Sequence, residues 1–297
     1  MDLIKNIISL LSFVFASVFS LSLLAIVGLF AFMIFSLGSN AETPIIKKSD
    51  RAVGVVELLG EIVTADGFRK QFNKMHEDKD IKALVVRIDS PGGAVGASEE
   101  IFRIISESTK PVVCSLGNVA ASGGLYAALG CDKIVSNNGT ITGSIGVILF
   151  MPNVSQIVDK VGFKMNIVKS GKFKDTGSPF RDLVSEDQGL LQDLVGQSYE
   201  QFVQVVAKSR GLEIEKVKSF ADGRIILGQH AVELGLVDEI GGLERAGKIA
   251  LNLANITTGE PEFVYSSKQR AILELFQQLD ESVNGFIGRS KMQLKFL

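Results

Sequence analysis

Histidine and cysteine are scarce in this sequence, two of each in 297 residues, and each scarcity closes off a line of chemistry. Cys114 and Cys131 are too few for a disulfide framework and fit neither a metal-ligand nor a Cys-x-x-Cys spacing. Both fall on apolar stretches that read as buried strands, so free core thiols are expected ahead of a single disulfide. His76 lies in the charged run Lys74-Met75-His76-Glu77-Asp78, which reads as a solvated helix end, and His230 stands close to Gly228 in a late helix. Both read as structural, which leaves a serine nucleophile without its usual base. An excess of either charge is missing too. The 31 Lys and Arg against 33 Asp and Glu leave a net charge of −2. With no basic stripe interleaved with aromatics, nucleic acid is not an expected partner. The 30 glycines follow no fixed period, which excludes collagen and solenoid repeats and assigns them to tight turns. No cofactor and no metal is expected.

Apolar side chains are what the sequence has in quantity, at 46% of residues, enough for one good-sized core and hence one main domain. The run from Asn6 to Ala41 carries no charge and exceeds the roughly 20 apolar residues that span bilayer hydrocarbon. A secretory leader has an apolar region of only about 7–15 residues. A retained anchor over residues 1–38 is therefore expected rather than a cleaved leader, although Ser39 and Ala41 would suit a small-residue cleavage site. Lys5 lies on one side of the run and Lys47, Lys48 and Arg51 on the other, so the positive-inside rule gives no orientation. A polar linker with Pro44 covers residues 39–51.

The folded part alternates strands and helices, the mark of an α/β fold. Strands are expected at Ala52–Leu59, Ile81–Ile88, Pro111–Leu116, Lys133–Ser136 and Asn166–Val168, each a short apolar run. Helices are expected through Phe68 and Phe72, over Glu99–Ile105 and over Ser122–Leu129. A long one opens at a capping box made by Ser185 and Gln188 and carries Leu190, Leu194, Phe202 and Val206. Further helix is expected around Ala231 and over Leu243–Leu253. Residues 52–255 form the expected domain, and 256–297 an amphipathic helical tail with Ile272, Leu275, Phe276, Leu279, Val283 and Phe286 on one face.

Ser122, in Ala120-Ala121-Ser122-Gly123-Gly124, follows an apolar strand and opens a helix, a position that exposes its hydroxyl beside free backbone N–H groups. A plain N-cap explains it equally well. The Gly-x-Ser-x-Gly elbow is absent, since Ala120 holds the place of its first glycine. With histidine disfavoured, lysine is the remaining common base, and it must be neutral to act. Lys174 is the candidate, in a small-residue loop from Ser170 to Pro179, with Lys172 competing for the role. The turn Asp89-Ser90-Pro91-Gly92-Gly93 is either an oxyanion loop or a simple tight turn, and Ser144, in Thr142-Gly143-Ser144-Ile145-Gly146, could orient a neutral lysine or merely serve a turn.

Taken in order and spacing, Asp89-Ser90-Pro91-Gly92-Gly93, Ala121-Ser122-Gly123-Gly124, Thr142-Gly143-Ser144-Ile145-Gly146 and Ser170-Gly171-x-x-Lys174-Asp175 with Ser178-Pro179 resemble the bacterial signal peptide peptidases also called protease IV. Ala221-Asp222-Gly223-Arg224 through Gly235-Leu236-Val237-Asp238 is similar to that family's C-terminal signature. The resemblance covers roughly Ala52 to Gly242 and, having no second copy of the motifs, points to the short single-domain form. It implies a Clp protease/crotonase-like spiral of β-β-α units, Ser122 as nucleophile, Lys174 as general base and Ser144 as the serine supporting that lysine. It also implies an oxyanion hole from Gly93 and Gly123, ahead of Gly92. By the same resemblance the chain would act on remnant signal peptides, assemble as a homo-oligomeric ring or dome, and meet membrane lipid through its first helix. It would be a single-pass protein of the bacterial inner membrane with its site on the extracytoplasmic side. An adjacent subunit can supply the lysine in short members. An acyl-CoA-processing enzyme of the same fold and a non-catalytic membrane scaffold are the competing expectations.

Overall fold

The structure, a computed structural model, describes residues 50–265. The expected anchor and the amphipathic stripe after Ala271 lie outside these residues. Among the described residues no helix is long and apolar enough to cross a membrane.

Five parallel pairings build the main sheet. Strand β1 (Ala52–Leu59) pairs with β2 (Ala83–Ser90), β2 with β3 (Val112–Ala120), β3 with β4 (Lys133–Ser136), and β4 with β7 (Glu239–Ile240), while β8 (Glu262–Tyr265) runs along the other edge of β1. β8 falls within the stretch assigned from sequence to a helical tail. The far end of β3 leaves β4 and meets β5 (Ile141–Gly143) at Val119 and Ile141, and β5 continues into an antiparallel pair with β6 (Ile225–Leu227).

Parallel strands covered on both faces read as continuous apolar runs, which is how β1 and β2 appear in the sequence. The side-chain period of two then sorts them. Leu84, Val86 and Ile88 of β2 face a core shared with α1 (Asp66–Glu77), α2 (Val95–Ser106) and α3 (Gly123–Ala128), where Phe68, Phe72, Ile101, Ile105 and Leu125 are buried. Ala83 and Val85 face the opposite side, where Ala246, Ala250 and Leu251 of α8 (Leu243–Leu253) pack. Each fully buried Val, Leu or Ile contributes about 1.5–3 kcal/mol, so the two layers together fix the sheet's register.

Between β5 and the long helix α5 (Ser185–Arg210), residues 147–184 hold one short helix, α4 (Ser155–Lys160), and no strand. The strand expected at Asn166–Val168 is absent: the stretch is exposed and has no neighbouring strand to complete a ladder. In α5 the expected apolar stripe is half realised. Phe202 and Val206 are buried, whereas Leu190 and Leu194 in its first half are exposed. Its N-cap is Val184 with no side-chain cap bond, so Ser185 and Gln188 form no capping box. The helices α6 (Ile214–Lys218) and α7 (Gly228–Leu234) complete the body.

The expected free thiols are corrected. Cys114 on β3 and Cys131, between α3 and β4, form a disulfide with a Cα–Cα separation of 5.8 Å. The two residues are 17 apart in sequence, and the closed ring contains Ser122 and all of α3.

Candidate active site

The motifs singled out in the sequence converge because they occupy the carboxyl ends of neighbouring strands. Asp89 to Gly93 leaves β2, Ala121 and Ser122 leave β3, and Ser144 leaves β5. The carboxyl edge of a parallel sheet is where loops from separate strands can meet around a substrate.

Ser122 occupies the N-cap position of α3, yet its hydroxyl makes no capping bond. Its backbone sits at φ 51° and ψ −121°, a left-handed setting that costs a non-glycine residue about 1–3 kcal/mol and persists only where surroundings impose it. The imposing contacts are visible. Ser122 N donates to Gly143 O at 2.9 Å, Ala121 N donates to Ser90 O at 3.1 Å, and Ser122 O accepts from Tyr126 N at 2.9 Å. The Asp89 carboxylate braces the strand end just upstream, accepting from Asn118 Nδ2 at 2.9 Å and Val119 N at 3.1 Å.

Two backbone amides beside Ser122 are unengaged. Ile62 N donates to Gly92 O and Ala94 N to Ile62 O, which leaves Gly93 N between them with no acceptor among the described residues, and Gly123 N at the head of α3 has none either. The two amides are neighbours, since a Cβ placed on Gly123 would come within 3.2 Å of Gly93 N. That Cβ would also lie 2.3 Å from Ser98 Oγ, and one on Gly92 would lie 2.6 Å from Gly123 N. No side chain fits at either position. A pair of convergent N–H donors next to a half-buried hydroxyl can bind the oxygen of a tetrahedral intermediate.

Ser122 opens onto a cleft of about 750 Å³ whose lining includes Gly93, Ser144, Val147, Tyr199 and Asp222. A smaller recess leads from it past Val95 and Glu99 to Tyr126 and Phe202. The Tyr126 ring lies between Phe102, at 5.6 Å, and Phe202, at 5.0 Å, and burial followed by the nearby Glu99 charge pushes its hydroxyl up to about 12. The recess floor is thus apolar. Ser144, also at φ 51°, is held by its amide donating to Arg224 O at 2.8 Å. The Ala221–Arg224 signature therefore forms the backing of the Ser144 turn. Asp222, on the cleft wall, is bonded by Arg224 at 2.7 Å and 2.5 Å, which draws its carboxyl down to about 2. Its place beside the site could not be read from spacing, because it is set by the pairing of β5 with β6.

Lys174 stands apart from this assembly. It is exposed, on a series of turns between α4 and α5, and lines neither cavity. Around it Asp175 accepts from Arg181 Nε and Nη2, both at 3.0 Å, and from Lys169 Nζ at 2.6 Å. The Arg181 bonds first, and Lys169 second, bring the Asp175 carboxyl down to about 2. Lys172, the competing lysine, is paired with Glu186 at 3.1 Å. Neither histidine takes part: His76 accepts from Thr109 N at 3.1 Å at the end of α1, and His230 is exposed on α7.

Residues 105–257 match the model of peptidase family S49. Among curated relatives, a Synechocystis sp. protein provisionally named a protease is 48% identical over 218 residues, covering 71% of this chain and 78% of that protein. The Arabidopsis thaliana serine protease SPPA, chloroplastic, is 36% identical over 69% of this chain and 31% of its own length. Protease 4 of Haemophilus influenzae is 36% identical over 68% of this chain and 35% of its own. The chain thus matches about a third of the length of the last two. The described structure also aligns with a ClpP1 mutant from Listeria monocytogenes, with a TM-score of 0.47 and 18% identity over 68% of this chain and 96% of that chain.

Proposed function

The chain belongs to peptidase family S49 and is a serine peptidase, and we propose that it is a membrane-anchored endopeptidase that degrades remnant signal peptides and other apolar peptides with a Ser122/Lys174 dyad. The observation that carries the reading is Ser122 itself, a hydroxyl held in a disfavoured backbone setting, spared from capping, beside the unengaged amides of Gly93 and Gly123. In this mechanism neutral Lys174 takes the Ser122 proton as the oxygen attacks the scissile carbonyl. The Gly93 and Gly123 amides hold the oxyanion, and Lys174 returns the proton to the leaving amine. Water activated by the same lysine then releases the acyl group. Ser144, one residue from the carbonyl that holds Ser122, is suited to accept from and orient the incoming amine.

Lys174 reaches Ser122 of a neighbouring copy. Two observations support this: its exposure away from the cleft, and the unpartnered apolar side chains of its segment, Ile148 at 84% and Phe150 at 90% exposure, which a second copy would cover. A ring or dome of Clp protease/crotonase-like bodies satisfies both. The apolar recess at Tyr126 suits an uncharged side chain next to the scissile bond. The charge-free run from Asn6 to Ala41 supports anchoring in the bacterial inner membrane. A Cys114–Cys131 disulfide fits the oxidising, extracytoplasmic side.

The test incubates full-length wild type, Ser122→Ala, Lys174→Ala and Lys174→Arg with an apolar signal-peptide fragment and maps products by mass spectrometry. All three variants should be inactive, arginine included because it cannot shed its proton. Mixing Ser122→Ala with Lys174→Ala should restore about a quarter of wild-type activity, the share of random neighbour pairs that join an intact serine to an intact lysine. Full activity of Ser122→Ala refutes the nucleophile, and no recovery on mixing refutes delivery by a neighbour.

A further inference from the structure

Three lysines, Lys169, Lys172 and Lys174, stand close together around the proposed base, and the structure treats them differently. Lys169 is tied to Asp175, and Lys172 to Glu186, while Lys174 has no ion pair among the described residues. An ammonium engaged by a carboxylate is a poor starting point for a base, because pairing favours the charged form. Of these three neighbours, Lys174 is the one without that hold.

The pairs that surround it form a closed network reaching into the body. Arg181 presents two nitrogens to the two oxygens of Asp175, each at 3.0 Å, and a third nitrogen to Asp187 Oδ2 at 2.5 Å. Asp187 Oδ1 accepts from Thr176 Oγ1 at 2.6 Å. Asp187 lies in the first turn of α5 and is only 2% exposed. Turn bonds complete the frame, with Lys174 N donating to Gly171 O at 3.2 Å and Ser178 N to Asp175 O at 3.0 Å. The residues immediately after Lys174 are thus fastened at two points to a buried carboxylate at the start of a 26-residue helix. Few other contacts hold this segment, whose apolar side chains are largely exposed.

We propose that Arg181, bridging Asp175 and Asp187, is a positioning residue that aims Lys174 at the serine it deprotonates. The inference rests on the reading of Lys174 as the base. Arginine suits the task because its planar fork engages one carboxylate bidentately and still has a donor for the second, which lysine cannot do. Without Arg181 the turns after Lys174 keep only the Thr176 bond to Asp187, and displacement of a catalytic group by about 1 Å costs on the order of 100-fold. Ser122, its amides and the substrate recess are untouched, so the loss falls on kcat and leaves KM in place.

The experiment measures the rate at which a fluorophosphonate labels Ser122, together with kcat and KM for an apolar peptide. Full-length wild type, Arg181→Gln, Arg181→Lys, Lys174→Ala and the double variant Arg181→Gln/Lys174→Ala are compared. Arg181→Gln should slow labelling and kcat about 10- to 100-fold with KM unchanged, and Arg181→Lys should recover little of it. In the Lys174→Ala background the Gln substitution should cost nothing more, because the group it aims is gone. Equal losses in both backgrounds, or a loss confined to KM, overturn the proposal, as does wild-type labelling by Arg181→Gln. Wild-type labelling by Lys174→Ala instead overturns the base assignment and is read separately. Should Arg181→Gln fail to fold, Thr176→Val decides. It removes one bond of the network, about 1 kcal/mol, and should slow labelling about 5-fold, while Thr176→Ser should not. Equal labelling by the two refutes the clamp.

Discussion

Replacing Asp89 with alanine isolates the brace beneath the proposed nucleophile, Ser122. The carboxylate accepts from Asn118 Nδ2 at 2.9 Å and Val119 N at 3.1 Å, with a longer contact to Asn118 N at 3.3 Å. Hydrogen bonds to a charged acceptor are each worth about 1.5–3 kcal/mol. Asn118 is exposed and can exchange its partner for water, so the loss is dominated by the half-buried Val119 amide, for a total of about 2–3 kcal/mol. In a domain of this size that lowers the midpoint of thermal unfolding by about 4–12 °C. The same substitution frees the end of β3, where the register against β2 already shifts between Ile88 and Ser90. Fluorophosphonate labelling of Ser122 should therefore slow at temperatures where the protein is still folded. Gly117 supplies an internal control, because a Cβ there would lie 2.8 Å from Asp89 Oδ2. Gly117→Ala should destabilise the wild type and cost less in Asp89→Ala, where only the contact with Ile88 O at 3.0 Å remains, a non-additivity that follows if the two groups share the space. An Asp89→Ala protein that melts within about 1 °C of wild type and labels at full rate would refute the brace.

Ser122→Gly should abolish peptidase activity yet raise stability by about 1 kcal/mol. Relief of the positive φ at this position outweighs the added freedom of glycine in the unfolded chain, and a lowered melting midpoint would contradict the strain argument. The pair Cys114→Ser/Cys131→Ser should lose about 3 kcal/mol, from a ring closed across 17 residues. Denaturant titration of the oxidised protein and of this variant measures it. Asp175 contributes to the acid dependence. Its carboxyl is drawn down to about 2 in the folded protein against about 3.9 unfolded. The stabilisation is therefore complete above the unfolded value and disappears as pH falls through about 2. The difference in melting midpoint between wild type and Asp175→Asn should hold steady from about pH 7 to pH 5 and shrink only below about pH 4. Closure of that gap near neutrality would show that another group titrates.

The elements legible in the sequence are those whose burial is two-sided or strongly periodic. β1, β4 and α8 begin and end where the apolar runs do, and Phe68 and Phe72 correctly mark the buried face of α1. Strands β5 to β8, two to four residues long, are too short to show a period and exist because a neighbouring strand offers unpaired backbone. The apolar triplet in Asn166–Val168 illustrates the converse, since composition without a partner makes no strand. Ser122, Ser144, Gly93 and Gly123 were legible as motifs, and the structure gathers them at adjoining strand ends. The bond pattern of Arg181, Asp175 and Asp187 was not, because it joins a loop to the first turn of a helix through side chains that read as ordinary surface charge. The disulfide was equally hidden. Whether two thiols lie within bonding reach is a property of how β3 and the approach to β4 sit side by side.

The covalent ring around Ser122 gives the two halves of the proposed dyad different thermal lives. The serine half lies inside a ring anchored on β3, whereas the lysine half rides on an exposed segment tied mainly by side-chain bonds. Local opening begins where buried contacts are fewest. On gradual warming the enzyme should therefore lose its proposed proton acceptor first, and become silent while the proposed nucleophile is still in place, ready to regain activity on cooling.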